Sequence, residues 1–146
     1  MEVVFKSLEL EDLKSTIDLC NLCFNETTEY EYAKKVFLET RNDPNNIYIN
    51  GIINGEVVAH AKMTIIKTMY KPMATYAILN HVCVNPNFRR HGLATHLLDV
   101  LFKVAKDNNC ECIELWSKNF RTAAHSCYKR YGFELEETGF FSKEVK

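Results

Sequence analysis

Three basic residues and a glycine stand together at one junction of the sequence, in the order Arg89, Arg90, His91, Gly92. They follow an apolar run over residues 78–84 and precede leucines at the three-and-four spacing of a helix with one buried face. The start of a helix carries about half a positive charge and several N–H groups without a helical acceptor, so cations are unfavourable there. A bound anion would offset this repulsion, and a glycine would let the backbone approach it closely. A solvated basic turn is the alternative interpretation.

The composition limits the classes of partner. The chain has 146 residues, 47% of them apolar and 25% charged, which is typical of a globular protein, and we expect residues 1–146 to form a single domain. The net charge of −1 argues against a nucleic-acid-binding protein, because such proteins need a basic excess. No apolar run approaches the roughly eighteen residues of a membrane span, and no export signal is evident. We therefore expect a cytoplasmic protein without membrane contact.

The six cysteines allow two interpretations. Cys20 and Cys23, together with Cys110 and Cys112, have the short spacing of thiolate ligands to zinc. However, the first pair also fits the buried stripe of a helix, and the second pair enters a predicted strand, as expected for free thiols packed in a core. We therefore predict no metal site and keep a zinc-stabilised interaction domain as the weaker alternative.

Periodicity and turn signals predict the elements that position these residues. Strands are predicted over residues 3–7, 47–53, 56–66, 74–84, 112–117, 133–135 and 140–143, and helices over residues 11–24, 28–40, 93–105 and 122–130. Asn54-Gly55 is typical of a tight hairpin turn, with Asn50-Gly51 as a competing turn. Thr28 and Glu31 have the spacing of a capping box. This order predicts a mixed α/β fold in which helices cover a central sheet.

Two segments of the sequence resemble motifs of the GNAT superfamily of N-acetyltransferases. Residues 82–94 resemble that family's strand, loop and Arg-x-x-Gly-x-Gly/Ala motif, and residues 124–133 resemble its Ala-x-x-x-Tyr-x-x-x-Gly-Phe motif. One predicted strand lies between the segments, as in the family, and the resemblance covers essentially the whole chain. It implies a mostly antiparallel sheet of about seven strands, splayed between the fourth and fifth strands and flanked by about four helices.

The resemblance implies acetyl-coenzyme A as the cofactor. N–H groups from Arg90 through Thr95 are expected to hold its pyrophosphate, while Gly92 and Ala94 keep that backbone accessible. The splayed fourth strand is expected to bind the pantetheine arm as a surrogate strand. The full set of expected cofactor contacts is Val82, Cys83, Val84, Arg89, Arg90, His91, Gly92, Leu93, Ala94, Thr95, Asn119, Arg121 and Tyr128.

The second motif implies a general acid. Tyr128 matches the family's tyrosine beside the sulfur, whose hydroxyl protonates the departing thiolate. Arg121 stands where many relatives carry a cofactor-binding asparagine, and Asn119 is a nearby substitute. A tyrosine on a short amphipathic helix is otherwise a core residue with a solvated hydroxyl.

The general base departs from the family pattern. The carboxylate that many relatives carry on the fourth strand is replaced by Asn80, which cannot take a proton, so His81 and Glu114 are the candidate catalytic bases. Regular alternation would place His81 on the sheet face of Leu79 and Cys83, opposite the face of Asn80. A structural histidine and a solvated glutamate are therefore the alternatives.

Relatives bind the acceptor between the first two helices and the loop before the fourth strand, which correspond here to residues 24–32 and 67–76. The acidic and aromatic residues that would suit a cationic amine there are Glu26, Glu29, Glu31, Tyr30 and Tyr32. We predict an N-acetyltransferase that moves acetyl from acetyl-coenzyme A to a primary amine of a small molecule or peptide by direct attack. We expect a monomer or homodimer. A noncatalytic acetyl-coenzyme A sensor or interaction module is the alternative.

Overall fold

The computed structural model describes residues 2–89 and 91–146. Its residues group into two compact units, Met1–Trp116 and Ser117–Lys146. Arg90, one of the predicted cofactor contacts, lies outside the described residues. Within the described part of the chain, no helix is both long enough and apolar enough to cross a membrane.

The first unit follows the predicted order of strands and helices. Its elements are β1 (Val4–Ser7), α1 (Leu13–Phe24), α2 (Tyr30–Thr40), β2 (Asn46–Ile53), β3 (Glu56–Lys67), β4 (Thr75–Val84), α3 (Leu93–Asp107) and β5 (Ile113–Leu115). Short 3₁₀ turns precede α1 and follow β4. The predicted mixed α/β fold is confirmed.

The strands form one sheet in sequence order. β1 to β4 are antiparallel neighbours, whereas β5 runs parallel to β4. The parallel ladder joins Ala77 to Ile113 and ends where Leu79 meets Leu115. β4 continues beyond this point to Val84, so the two strands share a ladder at one end only, as the predicted splay requires.

α3 buries the leucine stripe that its periodicity predicted. Leu97 and Leu101 are fully buried, and Leu93, Leu98 and Ala105 are at most 5% exposed. Burying each leucine side chain contributes about 1.5–3 kcal/mol to folding. The spacing also predicts Phe102 on this stripe, but its side chain is 55% exposed, because it lies beyond the edge of the buried face.

The hairpin between β2 and β3 turns where predicted. Asn54 and Gly55 both have positive φ, 50° and 81°, as a tight hairpin turn requires. The competing turn is wrong, because Asn50 and Gly51 lie inside β2, where the Asn50 side chain is fully buried.

The capping box predicted for α2 does not form. Glu29 is the N-cap residue, and no side chain caps it. The preceding Thr28 is held instead by the amide side chain of Asn21, which accepts from the Thr28 N–H and donates to its carbonyl, both at 3.0 Å. This contact fixes Thr28 outside the helix, so α2 begins at Tyr30.

The second unit contains one helix, α4 (Thr122–Tyr131), which ends at Gly132 with φ of 116°. Residues 133–146 form no helix or strand, so the two terminal strands were wrongly predicted and the described sheet has five strands rather than about seven. Phe140 and Phe141 are 73% and 95% exposed. An alternating pattern becomes a strand only where a neighbouring strand pairs with its N–H and C=O groups, and the pattern itself carries no information about that neighbour.

Candidate active site

A β-bulge interrupts β4 at His81. The register between β3 and β4 shifts between His60 and Lys62, so β4 has one residue more than β3 at this point. His81 has φ of 52°, in the left-handed region, as a bulge residue often does. This backbone conformation costs about 1–3 kcal/mol in a residue other than glycine, and it persists where the surrounding structure requires it.

The bulge changes the sheet face on which His81 lies. Regular alternation predicted that His81 shares the face of Leu79 and Cys83, which are 2% and 6% exposed. That prediction is wrong, because the extra residue shifts the phase of the strand and the His81 side chain is 44% exposed. The same shift places Cys83, opposite His60 on β3, on the sheet face of Asn80.

Two residues at the end of α1 and just after it hold the His81 ring. Its Nε2 lies 2.9 Å from Oε1 of Glu26, and its ring meets the ring of Phe24 edge to face, with centroids 4.9 Å apart. An ionised carboxylate only accepts hydrogen bonds, so Nε2 carries the proton in this contact and the neutral ring has its lone pair on Nδ1. A lone pair on one nitrogen and a carboxylate on the other is the arrangement of a general base. Glu26 and His81 are 55 residues apart in sequence, so the sequence contained no signal of their contact.

Glu114, the other candidate base, lies half-buried in β5. The register places it opposite Ile78, at the paired end of β4, rather than beside the bulge. Ile78 and Asn80 lie on one face of β4, so Glu114 contributes a carboxylate to the same face of the sheet.

The backbone of Val84 faces the unpaired edge of β4. The N–H of Asn85 donates to a β3 carbonyl at 2.7 Å, so strand alternation turns the Cys83 N–H toward β3 and the Val84 N–H away from it. The Val84 carbonyl accepts from Arg89 Nε at 3.3 Å and from Cys23 Sγ at 3.5 Å. Cys83 and Val84 are both expected cofactor contacts, and of these two residues Val84 presents its backbone groups at the open edge.

The side chain of Cys83 lies in a cluster of thiols. It packs with Leu19 and Cys20 on α1, and Cys23 lies against the same cluster. Hydrogen bonds of the Cys83 thiol to Cys20 and Cys23, together with burial, raise the pKa of that thiol, which therefore stays protonated. Among the described residues, the one group of potential metal ligands within 4.8 Å of one another consists of the carboxylates of Glu9, Glu11 and Asp12. The four cysteines considered as zinc ligands are therefore not brought together.

The head of α3 is open and uncapped. Gly92, its N-cap residue, has φ of 76°, and a Cβ built there would meet no atom within 4 Å. No side chain caps this end, and its first turn has no acidic residue. The N–H of His96 donates to the Gly92 carbonyl at 3.0 Å, so the N–H groups of Leu93, Ala94 and Thr95 precede the first helical bond. Three such donors beside an accessible glycine fit the oxygens of a pyrophosphate.

The basic residues before this helix head have separate surroundings. Arg89 is exposed, with its Nε on the Val84 carbonyl, as described above. His91 lines an open cavity of about 560 Å³ together with Phe5 and His96. This cavity lies between β1 and the start of α3, so it is distinct from the open edge of β4.

The remaining predicted site residues belong to the second unit. The ring of Tyr128 meets Phe133 edge to face, with centroids 5.7 Å apart, and the Tyr128 carbonyl accepts from the Phe133 N–H at 2.9 Å. These contacts fix the tyrosine at the end of α4. The guanidinium of Arg121 lies over the Phe120 ring, 5.0 Å from its centroid, and Asn119 is exposed.

The residues predicted to face the acceptor divide into two groups. Tyr30 packs against the core cluster around Phe37, so its ring contributes to the core. Glu29 and Glu31 are exposed, and the Tyr32 side chain is 67% exposed. Glu26 contacts His81, so it joins the acceptor segment to β4.

A family model described as the Acetyltransferase (GNAT) family matches residues 11–133. The chain belongs to the GNAT acetyltransferase family. The match confirms the family predicted from the two motifs, and with it acetyl-coenzyme A as the cofactor. The open head of α3 and the unpaired edge of β4 are the features of this GNAT chain that fit that cofactor.

Comparison with individual proteins agrees with this assignment. An uncharacterized N-acetyltransferase of Methanocaldococcus jannaschii is 34% identical over 61 residues, which are 42% of this chain and 27% of that protein. The chain thus aligns with about a quarter of the length of that relative. A transcriptional regulator from Bacillus halodurans has the same fold, with a TM-score of 0.89 and 20% identity over 98% of this chain and 100% of that one. An aminoglycoside 6′-N-acetyltransferase from Acinetobacter baumannii superposes with a TM-score of 0.82 and 16% identity, over 99% of this chain and 100% of that one.

Proposed function

We propose that this GNAT-family chain transfers acetyl from acetyl-coenzyme A to a primary amine of a small molecule or peptide. The observation that carries the proposal is the position of His81, which the bulge turns to an exposed side of β4 and which Glu26 holds through Nε2 at 2.9 Å. This pair supplies the general base that Asn80 cannot supply.

His81 makes the amine reactive. A protonated amine has no lone pair, so it must lose a proton before or during attack on a carbonyl. Nδ1 of His81 accepts that proton, and the carboxylate of Glu26 stabilises the imidazolium that results. General base catalysis of this kind contributes about 10²–10⁴-fold to a rate.

Other residues of the chain hold the cofactor. Acetyl-coenzyme A supplies, when bound, an acetyl group activated as a thioester. The N–H groups of Leu93 to Thr95 and the open backbone at Gly92 hold its pyrophosphate. Arg89 and His91, which flank this helix head in sequence, contribute positive charge or hydrogen-bond donors, and Arg90 remains a contact expected from the motif alone. Val82 and Val84 offer backbone groups at the edge of β4. The remaining roles, taken from the second motif, are the general acid Tyr128 and the cofactor contacts Asn119 and Arg121.

Direct attack by the amine is favoured over transfer through an enzyme cysteine. Cys83, the cysteine on β4, is 6% exposed, and its hydrogen bonds and burial raise the pKa of its thiol. A thiol acts as a nucleophile through its thiolate, which this environment disfavours. We therefore propose a single transfer step with both substrates bound.

The test is release of coenzyme A from acetyl-coenzyme A with a panel of primary amines, from about pH 5.5 to about pH 8.5. The panel spans amino acids, amino sugars, an aminoglycoside and peptides with free amino termini. We expect release that depends on one class of amine and decreases toward the acidic end. Tight binding of acetyl-coenzyme A without release by any amine would instead support the noncatalytic module.

A further inference from the structure

A row of polar side chains crosses the sheet toward His81. The strand registers place Tyr48 on β2 opposite Lys62 on β3, and Lys62 opposite Asn80 on β4. Residues directly opposite one another in antiparallel strands have their side chains on the same face, so these three form a continuous row. Asn80 immediately precedes His81, so the row ends at the proposed base.

Lys62 is a half-buried cation that forms no ion pair with a carboxylate in the described part of the chain. Its Nζ donates to Thr64 Oγ1 at 2.6 Å and lies 5.8 Å from the centroid of the Tyr48 ring. None of the ion pairs within residues 2–89 and 91–146 includes Lys62. Burial lowers the pKa of Lys62, and the more distant Asp43 opposes this effect only in part. Among the described residues, this partly desolvated charge has a hydroxyl and an aromatic ring as near neighbours, and Asp43 offsets only part of the cost of its burial.

The part of the sheet face around Lys62 is accessible beside β4. Phe37 of α2 covers the Tyr48 ring, with centroids 5.4 Å apart. His60 is buried beneath α1 and is linked to that helix by Asn50, whose side chain contacts both His60 and Thr16. Asn80, the neighbour of Lys62 on its other side, is exposed. Lys62 therefore stands in the sheet between the covered Tyr48 and the exposed Asn80, with its ammonium group beside Thr64 and the Tyr48 ring.

We propose that Lys62, with Thr64 and Asn80, forms an anion subsite for the acceptor, which is accordingly a primary amine that also carries a carboxylate or phosphate group. This inference rests on the proposed function and narrows its substrate class. Backbones of opposed residues in antiparallel strands are about 4.5–5.5 Å apart, so the subsite adjoins His81 and suits a small acceptor. Glu26 contacts His81, and Glu114 lies on the strand on the other side of β4 from Lys62, so their carboxylates suit the amino end of the same molecule.

The experiment compares amines that differ only in the anionic group. One pair is 4-aminobutanoate and 4-aminobutanamide, and the other is glucosamine 6-phosphate and glucosamine. Coenzyme A release is measured for all four compounds, and their binding to the coenzyme A-loaded protein is measured by calorimetry. We expect the anionic member of at least one pair to be favoured about 10- to 100-fold, the range of a charged hydrogen bond. The pair with the larger ratio distinguishes carboxylate from phosphate.

Three variants identify the residue responsible. Lys62→Met keeps most of the apolar stem, and we expect it to bring the ratio close to one through KM rather than kcat. Lys62→Arg keeps the cation and should keep most of the preference. Lys103→Met removes the same charge from an exposed position on α3, where it pairs with Asp107, and should leave the ratio unchanged. Thermal unfolding of each variant reports whether it folds.

The results separate this inference from the proposed function. Equal use and equal binding of both members of each pair, or a preference that survives in Lys62→Met, overturns the anion subsite while acetyl transfer stands. Absence of coenzyme A release with every compound overturns the proposed function, and calorimetry then still decides the subsite. If the anionic compounds bind more weakly to Lys62→Met but not to Lys62→Arg or Lys103→Met, the anion subsite is supported. If their affinity for Lys62→Met equals that for the unchanged protein, the anion subsite is overturned.

Discussion

His60 and His81 lie on neighbouring strands at either side of one bulge, yet their environments differ completely. His60 is 5% exposed, and its Nδ1 contacts the amide oxygen of Asn50 at 2.9 Å, while the amide nitrogen of Asn50 donates to Thr16 Oγ1 on α1 at 3.0 Å. His81 is largely exposed and contacts the carboxylate of Glu26. A buried ring with a neutral partner contributes to stability, whereas an exposed ring with an anionic partner is available for proton transfer.

The largest expected effect is on turnover and follows from removing the exposed ring. We expect His81→Asn to lower kcat about 10²–10⁴-fold, because it removes the proposed general base. Asparagine tolerates the left-handed backbone that His81 adopts, so the free energy of unfolding should change little. Steady-state kinetics and urea unfolding measure the two quantities, and a large loss of stability with normal turnover would reverse the roles of the two histidines.

Removing the buried ring should affect folding instead. We expect His60→Ala to lower the free energy of unfolding by about 3 kcal/mol, because it leaves a cavity and deprives the Asn50 amide oxygen of its buried partner. The kcat of the protein that remains folded should stay close to that of the unchanged protein. Denaturant unfolding monitored by circular dichroism gives the first quantity, and kinetics under strongly native conditions give the second.

Acidification should also lower the free energy of unfolding, because His60 is buried. Burial, and to a smaller extent the charge of His81, lowers the pKa of His60 to about 4, whereas histidine in an unfolded chain titrates near 6.5. Between these values the unfolded state binds more protons, so stability decreases as the pH falls from about 6.5 to about 4, by about 3 kcal/mol. The difference between the unchanged protein and His60→Ala isolates this contribution. A difference that does not vary with pH would show that His60 is not buried in its neutral form.

Two glycines offer the same contrast between a structural and a functional position. Gly55 and Gly92 have φ of 81° and 76°, and a Cβ at either one would meet no atom within 4 Å. Alanine at either position should therefore cost a similar amount of stability, about 1–2 kcal/mol. Only Gly92→Ala should weaken acetyl-coenzyme A binding, by about tenfold, since only the head of α3 is proposed to approach the pyrophosphate. Calorimetric titration of both variants tests this, and equal losses of affinity would contradict the assignment.

The smallest expected effect concerns the partner of His81. Glu26→Gln keeps a hydrogen-bond acceptor but removes the charge that stabilises the imidazolium, so we expect kcat to fall about fivefold. Glu39→Gln, on the exposed side of α2, removes the same charge away from the site and serves as the control. Identical kinetics for Glu26→Gln and the unchanged protein would show that the contact with His81 has no part in turnover.

Local patterns were sufficient for most of the fold. The leucine spacing predicted α3, Asn54-Gly55 predicted the hairpin, and the two GNAT-like segments predicted the family that the comparisons confirm. These features succeed because each depends on the geometry of a few consecutive residues. The terminal strands failed for the opposite reason, since a strand requires a partner elsewhere in the chain.

The sequence by itself therefore determined the order of the elements, the buried stripes and the glycine at the head of α3. Only the tertiary structure decided the face of His81, its contact with Glu26 and the isolation of the Lys62 charge. Each of these depends on the register between strands or on contacts between distant segments. A bulge adds one residue to one strand relative to its neighbour, and this relation exists only once the two strands are paired.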